Sequence, residues 1–241
     1  MTADPPTTRH FETVVTDRTV EEPWAVSKVR PGERVLDVGS ATSRYLTELP
    51  PGCRVYAIDL RATPAQRGIG IARGDVLRAP FRPGAFDVIT CISTVEHAGL
   101  DVYGQYPNEF GDELMMRHLR LLLRPGGRLL LTAPYGRRNV NAWLRVYDRA
   151  SFRRLLAGYR PLAVAYCRRE GEAYLPCRRE EVEGAVFDFR HMRSDGVVLA
   201  ELMPVPGGLS FALARASLRL RRRWRRLTHR RVRFWRDVTE L

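Results

Sequence analysis

Lysine is nearly missing from this chain: Lys28 is the sole lysine among forty basic residues, and all the others are arginine. So lopsided a ratio fits a genome's codon usage better than selection for guanidinium chemistry, so arginine counts alone argue no function. No run of 18 apolar residues exists, which excludes a membrane-spanning helix. The opening "MTADPPTTRHFETVV" lacks a basic stretch followed by an apolar one, so no secretory signal is expected there. Four cysteines (Cys53, Cys91, Cys167, Cys177) form no Cys-x-x-Cys pair. A disulfide framework and a structural zinc are therefore not expected, and the cytoplasm is the expected compartment. No carboxylate and histidine cluster has metal-ligand spacing, so no metal is predicted.

What is present is ordinary globular material. The 241 residues are 44% hydrophobic and 28% charged, enough for one substantial core or a domain with an appendage. The net charge of +13 is unevenly placed. From Arg215 onward eleven arginines oppose only Asp237 and Glu240, so this tail holds +9 of the total.

Strand and helix patterns alternate along the middle of the chain. Residues 1–20 are polar, with Pro5-Pro6, and read as irregular. "EEPWAVSKV" (21–29) reads as a short helix opened near Pro23, since proline is tolerated in a first turn. "RVLDVG", "RVYAIDL", "GIARGD", "FDVITCIS" and "RLLLTAPYG" read as five successive strands, each a nearly continuous apolar run. "SRYLTEL", "EFGDELMMRHLRLLL" and "YDRASFRRLLAGY" read as helices, the second from its apolar spacing at Phe110, Leu114, Met115, Leu119 and Leu122. "PLAVAYC" and "GVVLAELMPV" are two closing strands, joined by a polar segment without a helical period, which predicts an antiparallel pair. The pattern predicts a doubly wound α/β domain over 21–206 with a mostly parallel, seven-stranded, Rossmann-like sheet. Residues 207–241 predict a basic helical extension, with Leu213, Leu220, Trp224 and Leu227 on one stripe and Phe234 and Val238 continuing it.

In open α/β sheets ligands settle at the carboxyl ends of strands. The first strand ends in "VLDVGSATS", where Ala41 and Ser43 stand in place of the repeated glycines that a pyrophosphate requires. The loop thus argues against a dinucleotide and less against a ligand without phosphates. Asp59 closes the second strand, 22 residues beyond Asp37, and a carboxylate there can accept both hydroxyls of a ribose. Gly74-Asp75 follow the third strand, where Asp75 either caps a turn or meets an adenine amino group. The fourth strand delivers Ser93, Thr94, Glu96 and His97 to the same rim.

Taken in order, "VLDVGS", "IDL", "GD", "FDVITCISTVEHAGL" and "LLRPGGRLLLTAPYG" resemble a class I S-adenosylmethionine-dependent methyltransferase over about residues 21–205. "STVEHAGL" and "PYG" are also similar to a bacterial subgroup with relatives acting on sugars or envelope glycans. The resemblance implies S-adenosylmethionine as cofactor, with the Asp37-Gly39 loop at its methionine part, Asp59 at the ribose and Asp75 at the adenine. It implies Ser40, Ser43, Leu60, Val76 and Ser93 as further cofactor contacts. The expected reaction is O-methylation of a small-molecule or sugar hydroxyl. An RNA methyltransferase and a non-catalytic, cofactor-binding membrane partner are the alternatives.

Methyl transfer to a hydroxyl benefits from a base that titrates near neutrality, which makes His97 the expected catalytic base. The alternative for His97 is packing beneath the cofactor. Glu96 either orients His97 or satisfies helix-start amides. Asp37 either contacts the cofactor or fixes its own turn. Tyr103, Tyr106, Tyr135, Asn139, Arg145 and Tyr147 fall in loops expected to roof an acceptor pocket. The basic tail has three readings: packing on the domain, lying on an anionic membrane through residues 213–241 at the inner face, or, less favoured, binding nucleic acid.

Overall fold

A computed structural model describes residues 16–206 apart from Pro80 and Tyr106. The tail stripe, the membrane and nucleic-acid readings attached to it, and Tyr106 lie outside the described residues. Among the described residues no helix is long and apolar enough to cross a membrane.

Five strands run parallel: β1 (Arg34–Val38), β2 (Arg54–Asp59), β3 (Ile69–Arg73), β4 (Phe86–Cys91) and β5 (Leu123–Pro134). Three more complete the sheet: β6 (Tyr159–Glu170), β7 (Ala173–Cys177) and β8 (Gly196–Pro204). The strand order is β3-β2-β1-β4-β5-β8-β6-β7. β8 is antiparallel to both β5 and β6, which places the two closing strands side by side in opposite directions, as expected from the polar segment without a long helical pattern between them.

The sheet has eight strands rather than seven. The extra one, β7, pairs antiparallel with the end of β6 from inside the segment "EAYLPCRRE". Its mostly exposed, charge-flanked residues give no apolar run to read.

Helices cover both faces. On one face α1 (Arg18–Lys28) buries Ala25 and lays Trp24 against Val35, Val88 and Leu130. On the other, α2 (Gly111–Leu122) and α3 (Arg149–Leu155) bury Met116, Leu119, Leu122, Phe152 and Leu155 against Leu36, Ile89, Leu129 and Leu131. Asp148 caps α3 by accepting from the Ser151 amide, a reciprocal box that explains where this helix begins.

Two expected helices differ. α1 starts at Arg18, inside the segment read as irregular, and holds Pro23 in its interior rather than its first turn. Packing of Trp24, Ala25 and Val26 on the sheet offsets the backbone hydrogen bond that proline removes. "SRYLTEL" forms only a 3₁₀ turn over Tyr45–Glu48, because Tyr45 and Leu46 are pulled into the core one turn at a time.

Candidate functional site

The carboxyl ends of β1 to β4 converge on a cavity of about 270 Å³. Gly39, Asp59, Leu60, Asp75, Val76, Ser93 and His97 line it, together with Arg18, Arg61, Thr94, Tyr103, Gln105 and Trp143. Seven of the expected site residues thus meet at one place. Asp37, Ser40, Ser43 and Glu96 do not line it.

Asp37 turns inward from the cavity and is held by hydroxyls. It is buried, and its carboxylate accepts from Tyr45 Oη (2.7 Å), Thr90 Oγ1 (2.7 Å) and Ser43 Oγ (2.6 Å). Burial pushes its pKa up, and the three hydroxyl donors work against that rise. Ser43 is therefore committed to Asp37, and Ser40 shares a 2.9 Å hydrogen bond with Thr63. The loop without its repeated glycines is held by its own hydroxyls.

Gly39 has φ +88°, and a Cβ there would stand 2.0 Å from Thr94 Oγ1. The glycine is required by the chain's own close approach as well as by its left-handed backbone. Its amide donates to Ile58 O at 2.9 Å, which ties the end of β1 to the end of β2.

Asp59 presents its carboxylate at the cavity. Oδ2 accepts from the Ala41 amide (2.9 Å) and Oδ1 from the Arg61 amide (2.7 Å). A carboxylate has about four lone-pair sites. Two are used by these amides, and the Arg61 guanidinium lies 3.6 Å from Oδ1 as an ion pair. Asp75 Oδ1 caps the turn Val76–Arg78 by accepting from the Leu77 amide at 2.9 Å, so the capping reading holds for one oxygen while the residue still lines the cavity.

His97 is tautomerically defined. Its Nδ1 lies 2.6 Å from the Trp143 carbonyl, which can only accept, so Nδ1 carries the hydrogen and Nε2 keeps its lone pair. Burial holds its pKa below the usual histidine value, which favours the neutral ring. Glu96 Oε1 is 3.9 Å from Nε2, too long for a hydrogen bond. Glu96 does not hydrogen-bond His97, and its carboxylate interacts with its own backbone amide at the start of the 3₁₀ turn Val95–His97. It is buried with Oε2 unpartnered, and burial raises its pKa well above the carboxylate range.

Three of the lining residues bring their rings together. His97, Tyr103 and Trp143 meet edge to face with centroids 5.4–5.9 Å apart, and the Arg61 guanidinium lies 4.6 Å above Tyr103. Of the other expected roof residues, Tyr135, Arg145 and Tyr147 are buried. Arg145 donates to the carbonyls of Ala98 (2.7 Å) and Glu109 (3.1 Å), and Tyr147 donates to Asp112 (2.9 Å). They brace the loops that carry the site. Asn139 is exposed on a two-residue strand and does not line the cavity.

Ser93 occupies an unusual backbone position, φ +41°. Its amide donates to Thr132 Oγ1 (3.0 Å), and its hydroxyl lies 2.8 Å from both oxygens of Glu21. Glu21 comes from α1 and was not singled out by sequence reasoning, nor were Arg18 and Trp143. Nothing in a solvent-facing helical pattern distinguishes Glu21; only the packing of α1 on the sheet brings it to Ser93. Among the described residues no group of three or more His, Cys, Asp or Glu is placed to hold a metal.

The fold is shared with several solved structures at low identity. The chain is similar to the N-methyltransferase NodS of Bradyrhizobium japonicum, in complex with S-adenosylhomocysteine (15% identity, TM-score 0.52, covering 79% of this chain and 87% of that one). It is similar also to the 1,6-didemethyltoxoflavin-N1-methyltransferase of Burkholderia thailandensis, with S-adenosylhomocysteine bound (19%, 0.52, 78% and 80%). The [4+2]-cyclase SpnF has the same architecture (16%, 0.52, 77% and 80%). The last shows that this fold hosts more than one reaction. A family model described as a Caenorhabditis protein of unknown function, DUF268, matches residues 81–191, which run from before β4 into the loop that precedes β8. No curated protein matches the chain. What these structures share with this chain is the Rossmann-like α/β fold.

Proposed function

We propose that the cavity binds S-adenosylmethionine and that the protein transfers its methyl group to a hydroxyl of a small molecule or sugar. The observation that carries this reading is Asp59, which closes β2 at the cavity and whose two carboxylate oxygens each accept one backbone amide, leaving acceptor capacity of the kind a vicinal diol uses. Asp75, Val76 and the left-handed Gly39 line the same cavity, and the first two would hold the adenine and Gly39 the methionine part. Two fold relatives bind S-adenosylhomocysteine, which supports the choice of cofactor.

When bound, the cofactor supplies an electrophilic methyl group. The chain's task is to position, to exclude water and to take up a proton. Asp59 orients the ribose. Tyr103 and Trp143 close the mouth. His97 Nε2, neutral and free of a hydrogen, accepts the proton of the acceptor hydroxyl, while the Trp143 carbonyl holds the ring and steadies the resulting imidazolium.

Calorimetry tests the reading. S-adenosylhomocysteine should bind, and Asp59→Ala should weaken it at least tenfold, about 1.4 kcal/mol. Unchanged affinity in the variant overturns the ribose assignment. A screen of tritiated methyl transfer across sugars, lipids and RNA identifies the acceptor class. With that acceptor, His97→Ala should lower turnover about 100-fold and leave S-adenosylhomocysteine affinity intact.

A further inference from the structure

β6 lies inside the sheet, with β8 on one side and β7 on the other, yet every residue from Arg160 to Ala165 is exposed. After the arginine this run reads Pro-Leu-Ala-Val-Ala, and Leu162 and Val164 are 42% and 37% exposed. β7 pairs only with Tyr166–Glu170, so no described strand lies along the outer edge of the earlier half. Val164 is the register partner of Ala200 in β8, which is fully buried in the main core, so both side chains stand on one face of the sheet. The core thus runs out onto this half-strand and ends there without a cover. An open, apolar strand edge of this kind invites association unless something packs on it.

The chain itself returns to this point. β8 ends at Pro204, opposite Tyr159 at the start of β6, and the Val205 amide donates to the Gly158 carbonyl at 3.0 Å. The described residues stop at Pro206, so residues 207–241 set out from beside the exposed run. They open on Gly207-Gly208, a pair that allows the chain to reverse from β8 and travel back along β6. Leu213, Leu220, Trp224 and Leu227 then recur at helical spacing among arginines. A helix with one narrow apolar stripe and many like charges is marginal in water by itself, and draws its stability from burying the stripe.

We propose that residues 213–227 pack this stripe, as a helix, on the exposed half of β6 and so supply the cover that the core lacks there. The lengths agree. From Leu213 to Leu227 a helix advances about 21 Å, and from Arg160 to Ala165 a strand advances about 17 Å. Leu162 and Val164 meet the leucines and Trp224, while the arginines of the opposite helix face stay in water. The occupant of the open edge is thereby this chain's own continuation, ahead of a second copy, a membrane or a nucleic acid.

Hydrogen exchange of the full chain, read by mass spectrometry, tests this without any ligand. The peptide spanning Arg160–Ala165 should exchange slowly, and Trp224→Asp should speed it about tenfold while Trp224→Phe does not. Strands β1 and β4 should exchange alike in all three chains, which separates local uncovering from unfolding. The reciprocal variant is Val164→Asp, at an exposed position. Trypsin should then cut after the arginines between 215 and 231 about tenfold faster than in the unaltered chain. Either variant decides alone should the other not fold. Exchange at 160–165 that ignores Trp224→Asp, or tail cleavage that ignores Val164→Asp, overturns the proposal. Protection that grows with protein concentration overturns it in favour of a second copy at the open edge. Protection that appears only with phosphatidylglycerol vesicles, or only with added RNA, overturns it in favour of those partners.

Discussion

The parallel half of the sheet, β1 to β5, and its antiparallel margin, β6 to β8, are built from similar apolar strands but do different things. In the parallel half, every strand from β1 to β4 ends at the same rim, so its connecting loops converge, and nearly the whole cavity lining comes from them. In the margin, alternating directions send successive loops to opposite ends, and no residue of β6, β7 or β8 lines the cavity. β8 buries most of its length as β1 does, yet β6 leaves Leu162 and Val164 exposed and β7 leaves Leu175 exposed. Strand direction gathers a site here, and apolar burial by itself does not.

Four measurements can break or sharpen this contrast. The largest effect is expected at Asp37, where alanine leaves three buried hydroxyl groups without their shared acceptor. Denaturant unfolding should show a loss of about 3 kcal/mol or more. A loss below 1 kcal/mol would mean that Asp37 does not hold the end of β1. Next comes Gly39→Ala, which combines a left-handed backbone with a collision against Thr94 and should cost about 2 kcal/mol.

A pH series is third. Glu21 holds its proton to about pH 8 in the folded chain but ionises near its ordinary value of 4.5 when unfolded. Between these values the folded state binds more protons, so its contribution is full below pH 4.5 and is lost as pH rises through 8. Glu21→Gln should remove a slope of about 1 kcal/mol per pH unit from that window. An identical slope in the variant assigns the effect to its buried neighbours, Asp17 and Glu96, whose pKa values burial also raises. The smallest effect belongs to the margin: Leu175→Ser should change stability by less than about 0.5 kcal/mol and leave S-adenosylhomocysteine affinity unchanged. A larger loss would show that this edge is covered in solution.

The two aspartates show how far the sequence could be read. Asp37 and Asp59 both close apolar runs, and both were expected at the ligand. Asp59 is the last residue of β2 and reaches the cavity; Asp37 lies one residue inside β1, beside Thr90 of β4, where Tyr45 and Ser43 enclose it. The two tyrosines and the arginine expected over the acceptor, Tyr135, Tyr147 and Arg145, were legible as polar loop residues. Their burial was not, because it depends on how the loop after β5 folds back on Ala98 and Asp112. Glu21 shows the limit most clearly. Seventy-two positions separate it from Ser93, and no local pattern links them.

By itself the sequence determined the strands, their parallel succession and the rim at which Gly39, Asp59, Asp75, Ser93 and His97 would meet, because apolar period, turn residues and crossover length are local properties of the chain. Tertiary structure alone decided which acids face the cavity, which tautomer His97 keeps and which carboxyls burial pushes up in pKa. Those depend on desolvation and on hydrogen-bond partners brought from distant segments, and neither exists until α1 has packed on the sheet.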